Sequence, residues 1–233
     1  GLAAEMDAPW FTHLAETRSE VAQVKEMHGN TPARHLRALG LLHGLQAAAH
    51  GVWLDSEELK MLADHGVALV HCPESNRKLA SGLADIEAWQ EAGVTGGLGT
   101  DGAASNNDLD MIAELGSAAR GEKIKHLNPA ALSAVQALDM AWAGSARALG
   151  LDGVVGRLLP GFAGDAVVID TNQPHLTPMF DPASTLVYSA RGSDVRHTIV
   201  DGKVLVRDRQ VLSFDLPEVM DRVRSLARQV AGG

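Results

Sequence analysis

Apolar and polar positions follow two different periods along the first two thirds of the chain. Short apolar runs at about 10–15 (WFTHLA), 45–54 (LQAAAHGVWL), 66–72 (GVALVHC) and 93–101 (GVTGGLGTD) have the length and flanking residues of strands. Helical spacing fills the intervals: Ser19 to about Met27, about Pro32 to Leu39, 56–64, 84–92, about 107–120 and 129–148. Asp55 or Ser56 caps the helix at 56–64, and Glu57 and Glu58 suit its first turn. The opening LAAEM reads as the last turns of a helix, broken at Asp7, Ala8 and Pro9. Strand and helix in alternation predict a parallel α/β sheet or barrel.

The final third changes character. GDAVVID (164–170) reads as a strand, and PHLTPMFDP (174–182) as a proline-punctuated loop. Residues 195–208 are two alternating strands about Asp201-Gly202, a strong hairpin signal. Asp215 with Glu218 opens an amphipathic helix over 216–230. The chain therefore divides into 1–150 and 151–233. Residues 10–150 hold about four βα units, half of what a closed (β/α)₈ barrel of about 250 residues requires. The expected fold class is α/β: the second half of a TIM-type barrel, then a small β module and a C-terminal helix.

Composition narrows the function. The net charge of −9 argues against a nucleic-acid partner, whose binding surface is usually basic. Cys72 is the only cysteine, so there is neither a disulfide framework nor a Cys-rich zinc site, and a reducing, cytoplasmic setting fits. There is no run of about 18 apolar residues and no basic leader, so no membrane partner is expected.

Chemistry in parallel α/β folds gathers at the carboxyl ends of the strands. Those ends carry His13 and Glu16, His50, then His71 with Ser75, Asn76 and Lys78, and finally Asp101. One histidine at a strand end is usually structural. Three in succession, with an aspartate on the fourth, suit one site. Imidazole and carboxylate together suit zinc or a similar divalent ion, which lowers the pKa of a bound water towards 7. A nearby carboxylate such as Glu16 can then move protons. In GLGTDGAASNNDLDM (97–111), Asn107 or Asp108 could simply cap the next helix, or Asp101 could bind a metal beside a cluster of small polar residues. His28, His35, His43, His65, His126, His175 and His197 read as surface or loop residues. Trp53, Trp89 and Trp142 read as core.

HLAET (13–17), AAHGVWL (48–54), HCPESNRKLASG (71–82), GTDGAASNNDLDM (99–111) and LVYSARGSDVRHTIVDGKVLV (186–206) together resemble the amidohydrolase superfamily. Within it they are most similar to the 5-methylthioadenosine/S-adenosylhomocysteine deaminases. The resemblance implies a (β/α)₈ barrel with one divalent metal, usually Zn²⁺, and a purine nucleoside as the small-molecule substrate. It implies that His13 and Asp101 bind the metal, that Asp101 also shuttles a proton, and that Glu16 handles the proton at the adenine N1. It implies that His50 orients the attacking oxygen. It assigns no catalytic role to His71.

Departures matter too. The family draws two more metal ligands from a His-x-His pair, and none occurs in these 233 residues. Arg77 stands where relatives usually have an apolar residue. The expectation is the C-terminal half of such an enzyme, completed by an N-terminal half or by self-association, because a half-barrel exposes strand edges and apolar surface. Two other functions stay open: a related hydrolase acting on a triazine or guanine-like ring, and an inactive half-barrel.

Overall fold

A computed structural model describes residues 2–6 and 8–232. Asp7, part of the expected break after the first helix, lies outside the described residues. A short helix α1 (Leu2–Glu5) precedes β1 (Trp10–Leu14), α2 (Arg18–His28) and α3 (Pro32–Ala38). Then come β2 (Leu45–His50), α4 (Ser56–Asp64), β3 (Ala68–His71), α5 (Pro73–Lys78), α6 (Ile86–Glu91) and β4 (Gly96–Leu98). The helices α7 (Ala103–Asn106), α8 (Met111–His126) and α9 (Ala134–Asp139) follow, and a π-helical turn (Met140–Gly144) leads into α10 (Ser145–Ala148).

The four strands form one parallel sheet in the order β1-β2-β3-β4. Register levels their carboxyl ends: Leu14 lies opposite His50, Ala49 opposite Val70, and His71 opposite Leu98. Chemistry placed at the strand tips therefore arrives at one edge. Alanines and glycines keep this sheet thin where helices press on it. A Cβ on Gly144 would stand 2.1 Å from the Gly96 carbonyl oxygen, so the π turn can lie on β4 only with glycine there. Ser145 Oγ accepts from Leu98 N–H at 3.0 Å and donates to Leu98 C=O at 3.1 Å, which occupies polar groups of an outer strand. Leu59, Leu62, Ile86, Trp89, Leu115 and Ala118 are buried in the core that α4, α6 and α8 build on the sheet.

The second part carries β5 (Ala166–Ile169), a 3₁₀ turn (Pro174–Leu176), α11 (Pro182–Tyr188), a second 3₁₀ turn (Gly192–Asp194), β6 (Val195–Val200), β7 (Lys203–Arg207), β8 (Gln210–Val211) and α12 (Leu216–Ala231). These strands form an antiparallel sheet in the order β5-β6-β7-β8. Val200 pairs with Lys203 across Asp201 and Gly202, both at positive φ, as an Asp-Gly hairpin turn requires. Asp215 caps α12 by accepting from Glu218 N–H at 3.0 Å. Helix α11 packs on α8 and α9, and a Cβ on Gly116 of α8 would meet the Val187 carbonyl oxygen at 2.7 Å.

After His71 the chain is helical (α5), with Pro73 in the first turn, where a missing N–H costs nothing. Three expectations need correction. The helix expected at 107–120 starts at Met111, because α7 uses residues 103–106 and ends on Asn107 in the left-handed region. Its cap is therefore Asp110, not Asn107 or Asp108; Asp110 accepts from Ile112 N–H at 2.9 Å. Trp142 is half exposed rather than core. Among the described residues no helix is long and apolar enough to cross a membrane.

Candidate metal centre

The first tip is shaped by a capping network. Thr17 caps α2 by accepting from Glu20 N–H, and the Glu20 carboxylate returns to accept from Ala15, Glu16 and Thr17 N–H. That closure holds Ala15 at φ +49° and turns the chain sharply after His13 and Leu14. Glu16 is thereby delivered to the same edge as His13. Its Oε1 accepts from Ser81 Oγ at 2.8 Å, and its Oε2 lies 3.8 Å from His50 Nε2.

His50 ends β2 at φ +74°, and Asp101 follows β4 at φ +62°. A non-glycine residue in the left-handed region costs about 1–3 kcal/mol and persists only where its surroundings impose it. Three of the four strand tips carry such a residue, counting Ala15. The His50 side chain is fully buried, and its Nδ1 lies 2.8 Å from Asn76 Oδ1. Asp101 Oδ2 accepts from Ser75 Oγ at 2.6 Å. The small polar residues after Asp101 hold its loop in place. Asn106 donates to Thr100 C=O at 2.7 Å and to the Glu114 carboxylate at 2.5 Å, and Lys78 donates to Ala104 C=O at 2.8 Å.

These elements bring His13, His50 and Asp101 together, with one ligand atom from each within 4.8 Å of the others. The His13 and His50 rings stack at 5.4 Å. Among the described residues the buried His50 Nε2 has no hydrogen-bond partner, a costly state for an imidazole nitrogen unless something else occupies it. Two imidazoles and a carboxylate converging on such a nitrogen fit a divalent cation of the zinc class. Burial raises the Asp101 pKa, but the Ser75 hydroxyl, the Gly102 N–H, the His50 charge and the Ser105 hydroxyl outweigh it, and the net shift is downward. Asp101 is therefore ionised, as a metal ligand must be.

The neighbouring groups are inert. Burial, then the charges of Arg77 and His50, push the His71 pKa down to about 3, so its ring is neutral; it meets Trp89 edge-on at 6.1 Å. Burial first, then the charges of Asp101 and Glu114, push the Cys72 thiol up to about 12, which removes it as a nucleophile at neutral pH. Arg77 finds polar partners on α8, donating to Ser117 C=O at 2.6 Å. A groove of about 730 Å³ between the antiparallel sheet and the start of α8 with the π turn, lined by Met111, Trp142 and Val195 among others, includes none of His13, Glu16, His50 or Asp101.

Two features escaped the sequence. Fully buried Glu114 joins α5 and α7, accepting from Glu74 N–H at 3.2 Å as well as from Asn106. Burial, against those two hydrogen bonds, raises its pKa from 4.5 to about 7. The folded chain then holds a proton that the unfolded chain has released between those values. The stability from Glu114 is complete below about pH 4.5 and is lost as pH rises through about 7. Glu114→Gln should therefore cost more stability at pH 5 than at pH 8, by roughly 1–3 kcal/mol. Urea denaturation at the two pH values checks this, and equal costs would refute it.

The second feature is His126, which is not a free surface residue. It lies 3.3 Å from Asp85, 3.4 Å from Glu122 and 3.6 Å from Glu87. Asp85 and Glu122 in turn accept from N–H groups at the start of α6, so the cluster anchors that helix to the end of α8.

Residues 1–205 match the Amidohydrolase family. Over 229 residues the chain is 45% identical to the 5-methylthioadenosine/S-adenosylhomocysteine deaminase of Syntrophobacter fumaroxidans, covering 98% of this chain and 52% of that one. Among solved structures it is similar to a zinc-bound adenosine deaminase from Xanthomonas campestris, with a TM-score of 0.95 and 36% identity over 100% of this chain and 53% of that one. It is also similar to the zinc complex of an atrazine chlorohydrolase from Arthrobacter aurescens, with a TM-score of 0.89 and 30% identity over 97% of this chain and 50% of that one. The chain spans about half the length of the curated relatives it matches.

Proposed function

The chain belongs to the amidohydrolase family, and on that premise we propose that its strand-tip cluster serves the hydrolytic deamination of an adenosine derivative, 5-methylthioadenosine or S-adenosylhomocysteine. The observation that carries this reading is the convergence of His13, His50 and Asp101 beside Glu16. The higher identity to nucleoside deaminases than to the triazine-acting neighbour favours the purine over the triazine.

In this reading His13 and Asp101 hold a divalent ion, with His50 Nε2 facing the same point. When bound, the ion supplies a water acidic enough to attack at neutral pH. The rest is proton handling by the chain. Glu16 delivers a proton to N1 of the purine, which makes C6 electrophilic. His50 orients the attacking water through its free Nε2. Asp101, ionised in the resting site, accepts a proton from that water and passes it to the departing amine, and the proton left on the new C6 hydroxyl goes to Glu16, replacing the one given to N1. A C6–O bond forms and the C6–N bond breaks, so water and the aminopurine become a 6-oxopurine and ammonia. Residues 1–150 form the catalytic unit and 151–233 the appended module. The parallel sheet is half of a (β/α)₈ barrel, and a His-x-His pair on the other half supplies two further ligands.

The test joins the chain to the N-terminal half of the Syntrophobacter fumaroxidans relative. Zinc content and ammonia release are then measured with both adenosine derivatives. About one zinc per chain with ammonia from either substrate is expected. Zinc without ammonia from either, together with dechlorination of atrazine, would overturn the assignment.

A further inference from the structure

The three reactive side chains rise from the turn after β1, from the end of β2 and from the loop after β4, yet each is held by the same short connection. Between β3 and β4, Ser75 Oγ donates to Asp101 Oδ2 at 2.6 Å, Asn76 Oδ1 meets His50 Nδ1 at 2.8 Å, and Ser81 Oγ donates to Glu16 Oε1 at 2.8 Å. We infer that this connection is the positioning element of the site, and that Asn76 sets which nitrogen of His50 faces the reaction. The inference rests on the roles given above to Glu16, His50 and Asp101.

The hydrogen-bond chemistry is directional. With the Asn76 amide oxygen facing Nδ1, the proposed arrangement puts the hydrogen of His50 on Nδ1 and leaves the lone pair on Nε2, while Asn76 Nδ2 is buried with no hydrogen-bond partner among the described residues. His50 Nε2 is buried without a hydrogen-bond partner among the described residues and faces Glu16 Oε2 at 3.8 Å. Asn76 thus leaves His50 able to accept a hydrogen bond or bind a cation at Nε2. On Glu16 the pattern repeats: Ser81 takes Oε1, and Oε2 is turned towards His50.

Packing alone does not call for these residues. Ser75 and Asn76 are fully buried and Ser81 nearly so. A buried hydroxyl or amide is costly unless paired, and apolar residues of the same shape would fill the space at little cost. Here each side-chain bond reaches a reactive group. The connection is itself pinned on both sides. Arg77 donates to Ser117 C=O on α8, Lys78 reaches Ala104 C=O, and Trp53 Nε1 donates to Ser81 C=O at 2.8 Å. A rigid support of this kind fixes the rotamers of side chains that must act together.

The test reads the ring, not turnover. In the ¹⁵N-histidine-labelled 233-residue chain at pH 8, the His50 nitrogen shifts should report a proton on Nδ1 and a bare Nε2. Asn76→Ala should lose that preference and give a mixed tautomer. Asn76→Asp, which keeps an acceptor oxygen in place, should restore it. A proton on Nε2 in the unsubstituted chain overturns the inference whether or not the variants fold. So does an unchanged tautomer in a folded Asn76→Ala. A chain with the expected tautomer and substitution pattern but no zinc binding and, once completed, no ammonia release would instead sink the deamination reading and leave the positioning role standing.

Discussion

Glu16→Gln should slow ammonia release from the completed enzyme by at least about a hundredfold, the lower end of what acid–base groups contribute, and leave zinc in place. The substitution is nearly isosteric. A Gln carbonyl oxygen can still accept from Ser81 Oγ, now at 2.8 Å from Oε1, so the side chain stays where it is. What disappears is the proton that Glu16 carries to N1. Zinc should remain because the residues proposed to hold it are His13 and Asp101, whose ligand atoms converge without Glu16. Steady-state ammonia release and metal analysis on the same preparation check both halves of the statement. Turnover within a few-fold of the unsubstituted enzyme would remove Glu16 from the chemistry. Loss of zinc together with turnover would make it a ligand instead.

Trp89→Ala should destabilise the chain by about 3–5 kcal/mol, the range for truncating a large buried aromatic side chain. Trp89 is 1% exposed and stands between α6 and the sheet. It is close enough to β2 that a Cβ on Gly51 would meet its ring at 3.1 Å, and its ring meets His71 edge-on. The cavity left behind cannot collapse easily, because its walls are strand backbone and the buried His71. Against a typical total stability of about 5–15 kcal/mol the loss is large. A urea denaturation curve measures it directly, and a shift below about 1 kcal/mol would mean that the site repacks, contrary to the close packing of such cores.

Several elements were legible because their causes are local. Asp55 with Glu58, and Asp215 with Glu218, act over three residues, and the caps lie where that spacing places them. The Asp201-Gly202 hairpin is equally local. Strand tips could be read because an apolar run ends where the polar residue begins. Glu114 could not be read, since a glutamate in a helix looks like any solvated face until α8 is docked. Nor could Asp110, because nothing in SNNDLD says which acidic or amide group will start the helix once α7 has used the residues before it. Trp142 misled for the opposite reason: it lies in an apolar segment, but the π turn directs it outward, to half exposure.

The sequence by itself determined the order of strands and helices, the local caps and turns, and which titratable residues stand at successive strand ends. Each of these depends on neighbours a few residues away. Only the tertiary structure decided how those residues meet. Asn76 and Ser75 find their partners 26 residues away, and Ser81 finds its partner 65 residues away, through contacts set by sheet register and helix docking. The π turn likewise exists because Gly144 lands on the Gly96 carbonyl. Hydrogen bonds between side chains distant in sequence form only after the backbone has placed both ends within about 3 Å, and no local pattern encodes that distance.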